Sequence, residues 1–298
     1  TWPYPRSSSG SRGPGRYAGE AQRPFGHVGP ACVFECAACI TTSGTSATIL
    51  LRYEWVVNIQ ASGSAGPAAD REKDGMVDFS VQRLNMVESQ VRPSELTDRR
   101  IARGMMSVPR EAFLPAALHG VAYSDSELPL DGIEGAGGGR RMLAARTVAM
   151  MIQALEVADR DVVLLVGGAT GYEAALLADM VQTVVCLESD EGLANSCEAT
   201  LSELGIGNVA VVRDKLASGY ASEGPYDAIL VNGAVDDVGD ELLDQLKDGG
   251  RLVAVHRMGQ VSRVTIWQRT GERFARIEKG TAGGPVLPGF ARETAFSF

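Results

Sequence analysis

Two features of the chain have residue types and spacing suited to chemistry: a glycine-rich turn, and an acid that follows it at a set distance. Gly167, Gly168, Ala169, Thr170 and Gly171 follow the run Asp161-Val-Val-Leu-Leu-Val166, which is apolar after its first residue. Glycines at such a point let the backbone approach a ligand that a side chain would block. Glu188 closes a second apolar run, Thr183–Leu187, about twenty residues on, where a carboxylate can accept hydrogen bonds from both hydroxyls of a ribose. Turn and acid together imply a cofactor containing adenosine. They do not say which one, because the dinucleotide fingerprint G-x-G-x-x-G would require glycine where Ala169 stands.

Other reactive residues carry less. Cys32, Cys36 and Cys39 have the C-x3-C-x2-C spacing of a three-cysteine iron–sulfur ligand set. Ala38 stands where such sites place an aromatic, so the trio reads as chance, and His27 completes no zinc spacing. His119 is expected at a helix end and His256 after a strand, where it could line a pocket. Cys186 and Cys197 read as small buried hydrophobes. The pattern calls for no metal site.

The elements that must hold the turn and the acid are legible from periodicity. Apolar spacing predicts helices over Ser80–Val91, over Thr97–Ser107 with Thr97 or Asp98 as cap, and over Arg146–Val157. Asp131–Gly139 is a glycine-rich loop. From Asp161 onward short apolar strands alternate with helices: Tyr172–Met180, Thr183–Leu187, Asp190–Leu204, Val209–Val212, Tyr226–Val231, a short helix Glu241–Leu246 closed by Gly249 and Gly250, and Arg251–Val255. Val261–Gln268 and Arg273–Glu278 read as a hairpin. This alternation specifies an α/β fold, a Rossmann-like doubly wound sheet that is mostly parallel and ends in an antiparallel hairpin.

Composition narrows the partners. Lys and Arg number 28 against 37 Asp and Glu, a net charge of -9, which argues against nucleic acid. Five cysteines suit a reducing, cytoplasmic setting, and no apolar run approaches the ~20 residues of a membrane span. Residues 1–75 are rich in Gly, Pro, Ser and Arg and lack periodicity, so they are expected to be an irregular or disordered extension that is not native to the functional domain. Residues 76–298 are then the domain, with a helical, substrate-side part over 76–145 and a cofactor-binding sheet over 146–298.

Residues 76–298 also resemble the protein-L-isoaspartate O-methyltransferase family. The resemblance rests on Val108-Pro-Arg-Glu-Ala-Phe-Leu-Pro115, Ala122-Tyr-Ser-Asp-Ser-Glu-Leu-Pro-Leu130, the turn Val163–Tyr172, Pro225–Ala234, and Leu242-Leu-Asp-Gln-Leu-Lys-Asp-Gly-Gly-Arg-Leu-Val253. It implies the S-adenosylmethionine-dependent methyltransferase fold and a methyl transfer to a carboxylate of an isoaspartyl protein or peptide. It further implies that Gly167, Gly168, Ala169, Thr170 and Gly171 wrap the methionine portion of the cofactor, that Glu188 binds the ribose with Ser189 beside it, and that Asp214 lies near the adenine.

The chain departs from the family in two places. Leu165 stands at the family's first-strand acid, and Arg141-Met-Leu-Ala-Ala145 replaces the loop T-I-S-Q-P. The serine and glutamine of that loop fall near Leu143 and Ala144, which have no side-chain donors, so the catalytic residues stay unassigned. Methyl transfer to a carboxylate asks little beyond placement: the nucleophile is already ionised, and the two centres need to be held about 3–3.5 Å apart, in line and dry. The departures keep two alternatives open: a different acceptor, or a family member that binds without catalysis.

Overall fold

The computed structural model describes residues 78–292. The extension, its cysteine trio and His27 lie outside the described residues.

At the core is a seven-stranded sheet in the order β5-β4-β3-β6-β7-β8-β9. Its strands are β3 (Val162–Val166), β4 (Thr183–Glu188), β5 (Val209–Arg213), β6 (Tyr226–Val235), β7 (Leu246–Met258), β8 (Val261–Thr270) and β9 (Arg273–Thr281). A separate two-residue pair, β1 (Leu128–Pro129) and β2 (Arg141–Met142), brackets the glycine-rich loop. Strands β5 to β7 pair in parallel, and β7, β8 and β9 form an antiparallel meander, which realises the expected hairpin.

Strand alternation sends side chains to two cores. Val163 and Leu165 face one cluster, built with α3 (Ala145–Leu155), α4 (Tyr172–Ala178) and α5 (Glu191–Glu203), while Leu164 and Val166 face the other, beneath α6 (Asp240–Leu243). With both faces covered, the central strand β3 is apolar throughout, as a buried parallel strand requires. Leu165 is fully buried, so the position where the family places an acid contributes to packing here.

Four expectations change in detail. The first helix is α-helical only over α1 (Ser80–Met86); Val87–Val91 is a π-turn in which the Arg92 amide reaches back to the Val87 carbonyl. Pro93 follows and has no N–H to continue the ladder. α2 (Arg99–Ser107) is capped by Asp98, which accepts from the Arg100 amide at 2.8 Å, whereas the Thr97 amide donates to Gln153 Oε1. The helix expected over Glu241–Leu246 stops at Leu243, and Gly249 and Gly250 lie in an irregularity of β7 instead of closing it. His256 lies within β7, not after it.

After β9 the chain returns across the carboxyl ends of the strands. Ala234 and Val286 form a parallel bridge, and the Leu287 amide donates to the Ala234 carbonyl at 3.0 Å. Asp236 anchors this segment by accepting from Arg257 at 2.6 and 2.7 Å and from the Arg292 amide at 2.9 Å. Hydrogen bonding from Arg257 first, and from the Arg292 amide next, lowers the Asp236 carboxyl to about 2. A lowered carboxyl contributes stability above the unfolded value of roughly 4, and that contribution is lost as pH falls towards 2. Asp236→Asn should therefore melt at a lower temperature than the wild type at neutral pH, with the gap closing between about pH 4 and 2. Thermal unfolding across that range checks it.

Candidate functional site

In an open α/β sheet a ligand lies in the crevice where strand order reverses. Here that point falls between β3 and β6, the first strands of the two oppositely running halves. The turn Gly167–Gly171 leaves β3 at this crevice. Gly167 (φ 77°), Ala169 (φ 50°) and Gly171 (φ 96°) all adopt left-handed backbone, a conformation that favours glycine and strains alanine. The turn is packed from beneath: a Cβ on Gly168 would overlap the Cys186 sulfur, and one on Gly171 would lie 2.6 Å from that of Cys197. Those two buried thiols, both free, are 3.9 Å apart. Thr170 is buried and donates to the Phe113 carbonyl at 2.7 Å.

Glu188, at the end of β4, is completely buried and satisfied by protein donors. Its Oε2 accepts from the Ala169 amide at 2.8 Å. Its Oε1 accepts from the amides of Ser189 (2.7 Å) and Asp190 (3.0 Å), from the Ser189 hydroxyl (3.3 Å) and from Arg140 Nη1 (2.7 Å). Turn and acid, paired in the sequence on spacing alone, are therefore in direct contact. Ser189 is exposed beside them. Asp214 is also exposed and follows Arg213, the register partner of Glu188 across β4 and β5, which puts it on the same rim without contact to the acid.

Several site residues were not readable from motifs. Arg140, 7% exposed, ends the glycine-rich loop and also donates to the Gly167 carbonyl through Nη2 at 3.2 Å. Its position after a glycine run was the available signal. Asn232 reaches the same carbonyl at 3.2 Å. Strand β6 runs past its expected end at Val231, and a register shift between Leu230 and Ala234 places Asn232 in a bulge; bulges re-aim side chains in this way. Leu287 covers the crevice from the return segment, 3.0 Å from a Cβ built on Gly167 and 2.6 Å from one on Gly233. Glu173, on the first turn of α4, is 2% exposed, and its Oε1 has no partner among the described residues. Burial raises its carboxyl against the opposing pull of Arg110, Asn232 and Arg140.

The altered loop is held from behind. Arg110, completely buried, donates to the Ala122 carbonyl at 2.9 Å and to the Leu143 carbonyl at 2.6 Å, and its guanidinium lies 4.8 Å from the Tyr172 ring centre. Burial pushes the Tyr172 hydroxyl up to about 12. Leu143 is fully buried and Ala144 partly exposed. His119 donates through Nε2–H to the Leu114 carbonyl, and His256 stands edge-on to Trp267; neither is in contact with the turn. A cavity of about 960 Å³ runs between α3 and β9 past Arg146, Gln153 and Lys279, and touches neither the turn nor Glu188.

The switch-point crevice, glycine turn and strand-end acid define the class: a Rossmann-like α/β protein with a site for an adenosine-containing cofactor. The model of the family described as protein-L-isoaspartate(D-aspartate) O-methyltransferase matches residues 82–280, and the chain belongs to that family. The protein-L-isoaspartate O-methyltransferase of Herpetosiphon aurantiacus is 37% identical over 195 residues, covering 65% of this chain and 84% of that protein. That of Syntrophus aciditrophicus is 34% identical over 206 residues, covering 69% and 92%. Two solved structures share the fold. One is a protein-L-isoaspartate O-methyltransferase with a TM-score of 0.60 at 23% identity, covering 70% of this chain and 66% of that one. The other is the Plasmodium falciparum structure in complex with S-adenosyl-L-homocysteine, with a TM-score of 0.58 at 16% identity, covering 71% and 99%.

The packing beneath the turn gives a direct test. Gly168→Ala drives a methyl into the Cys186 sulfur and should cost about 1–3 kcal/mol, as overpacking does. Cys186→Ala in the same chain should recover part of that loss, because the Cys186 Cβ lies 3.8 Å from the added carbon. Urea unfolding of both variants measures it.

Proposed function

We propose that the chain methylates a carboxylate of isoaspartyl residues in damaged protein, with S-adenosylmethionine as donor. The observation that carries this reading is the buried Glu188 hydrogen-bonded to the glycine turn, inside a region that matches the family as a whole.

The residues present fit the donor. The left-handed turn leaves no Cβ at Gly167 or Gly171, Glu188 is an anionic acceptor at the second strand end, and the unpartnered Glu173 Oε1 is a buried acceptor suited to a cationic group. In this reading Gly167, Gly168, Ala169, Thr170 and Gly171 hold the methionine portion, Glu188 and Ser189 the ribose, and Asp214 the adenine rim. When bound, the cofactor supplies an electrophilic methyl on a sulfonium: a C–O bond forms to the acceptor as the S–CH3 bond breaks, and a neutral thioether leaves.

The chain's own contribution is placement and dryness. An acceptor carboxylate with a pKa of about 4 is ionised at neutral pH and needs no base. Leu287 and Leu143 exclude water from the crevice walls, and Arg110 fixes the loop that carries Leu143. A cytoplasmic setting and a functional domain over residues 76–298 belong to the same reading. Among the described residues no helix is long and apolar enough to cross a membrane.

Leu143 and Ala144 favour a second reading, with the same donor and a different acceptor, because neither offers a side-chain hydrogen bond. Calorimetry with S-adenosylhomocysteine and methyl transfer to an isoaspartyl peptide separate the two. Binding with transfer supports the first reading, and binding without transfer supports the second. Glu188→Ala should weaken S-adenosylhomocysteine binding by about 1.5–3 kcal/mol, the scale of hydrogen bonds to a charged group. Unchanged affinity would remove Glu188 from the site.

A further inference from the structure

If the acceptor is a carboxylate, something beside the turn must hold it, and the loop that performs this task in the resembling family presents Leu143 and Ala144 here. A cation stands at the base of the same loop. The Arg140 side chain is more than nine-tenths buried, with one nitrogen 2.7 Å from Glu188 Oε1 and the other 3.2 Å from the Gly167 carbonyl. We infer that Arg140 binds the acceptor carboxylate, and that it rests on Glu188 until the ribose of the cofactor claims that acid. The inference rests on the carboxylate-acceptor reading given above.

Counting acceptor sites supports the exchange. A carboxylate offers about four lone-pair positions. Glu188 Oε1 already serves Arg140, two amides and a hydroxyl, while Oε2 serves the Ala169 amide alone. Two ribose hydroxyls cannot both be accommodated without a protein donor leaving. The Ala169, Ser189 and Asp190 amides belong to the turn and to the strand's own continuation, so they cannot leave without unwinding either. Arg140 comes from the glycine-rich loop: Gly135 (φ 74°) and Gly139 (φ 88°) flank its end, and the Gly139 amide is tied to Asp131 at 2.8 Å. With the exposed Ser189 hydroxyl free to rotate away, it is the other donor able to move.

A guanidinium released inside a buried site is costly unless it finds another anion. An acceptor carboxylate beside Gly167 meets that need: one of its oxygens accepts from the guanidinium while the other stays free to attack. Cofactor and acceptor then assist each other, since each completes the charge balance the other disturbs. Arg140 is a specificity-determining residue in this scheme, because an acceptor without negative charge would leave it unpaired.

The test uses the full chain, S-adenosylhomocysteine and an isoaspartyl peptide. Calorimetry should show the wild type binding the peptide at least about tenfold more tightly with S-adenosylhomocysteine present than without, the scale of one charged hydrogen bond. Arg140→Gln should bind S-adenosylhomocysteine at least as tightly as wild type, which also reports that it is folded. It should lose the peptide enhancement and raise the peptide KM by about tenfold or more, with a smaller change in kcat. Arg140→Lys should recover part of the peptide affinity, and it carries the same test should the glutamine variant not fold. Unchanged peptide KM in Arg140→Gln overturns the inference, as does a loss of S-adenosylhomocysteine affinity, which would assign Arg140 to the cofactor. A wild type that binds S-adenosylhomocysteine but does not methylate the peptide removes the acceptor reading itself, an outcome distinct from an active wild type matched by its variant.

Discussion

A carboxylate with no access to water must be paired and hydrogen-bonded, or it will not stay charged. Glu188 is such a group, and three parts of the molecule meet to satisfy it. The β3–α4 turn supplies the Ala169 amide, the start of α5 supplies the Ser189 and Asp190 amides, and the glycine-rich loop supplies Arg140. The left-handed backbone at Ala169 is costly for a residue with a Cβ. Its amide bond to Glu188 is one of the contacts that hold that geometry. Asp190 extends the network, capping α5 through Leu193 while it accepts from the Gly137 amide at 2.5 Å. The acid thus couples turn, helix and loop.

Around this point the sheet and its return segment shape a narrow crevice. The bulge in β6 turns Asn232 towards Gly167, and the segment after β9 lays Leu287 over Gly167 and Gly233. Large side chains could not occupy those glycine positions without displacing Leu287. Arg110 works from the opposite side, tying the segment around Ala122 to the loop at Leu143 and stacking on Tyr172. The conspicuous Val108–Pro115 motif therefore acts as support: Arg110 fixes the loop backbone at Leu143, and the Phe113 carbonyl holds Thr170 of the turn.

Much of the frame could be read from the chain, for physical reasons. Strands buried on both faces must be apolar, so Val162–Val166 and Thr183–Leu187 announced themselves, and Glu188 stood out as the acid that ends one of them. A turn with positive φ asks for glycine, and Gly167 and Gly171 supply it. What could not be read depends on contacts distant in sequence. Arg140 is 48 residues from Glu188, and a lone arginine after a glycine run has no local signature. Asn232 acquires its role from a bulge that only pairing with β7 reveals. The π-turn at Val87–Val91 is a shift of hydrogen-bond partner from i−4 to i−5 at the Arg92 amide, which apolar spacing does not report.

The two departures from the family bear on charge in linked ways. Leu165 removes an acid from beneath the turn, and Leu143 and Ala144 remove side-chain donors from the loop, which leaves the buried Arg140 as the cation beside the crevice. A cation there disfavours a cationic donor unless its charge is neutralised, and it favours an anionic acceptor. Glu188 neutralises Arg140 in the arrangement described, and Glu173 places a second buried carboxyl nearby, its unpartnered oxygen available to a cation. Arginine differs from serine or glutamine in staying charged at any working pH. It can hold an acceptor carboxylate firmly, but it needs a counter-ion whenever no acceptor is bound. A site that recognises a negatively charged acceptor with arginine therefore requires a second anion as a resting place, and Glu188, which binds ribose in the reading above, meets that requirement without an extra residue.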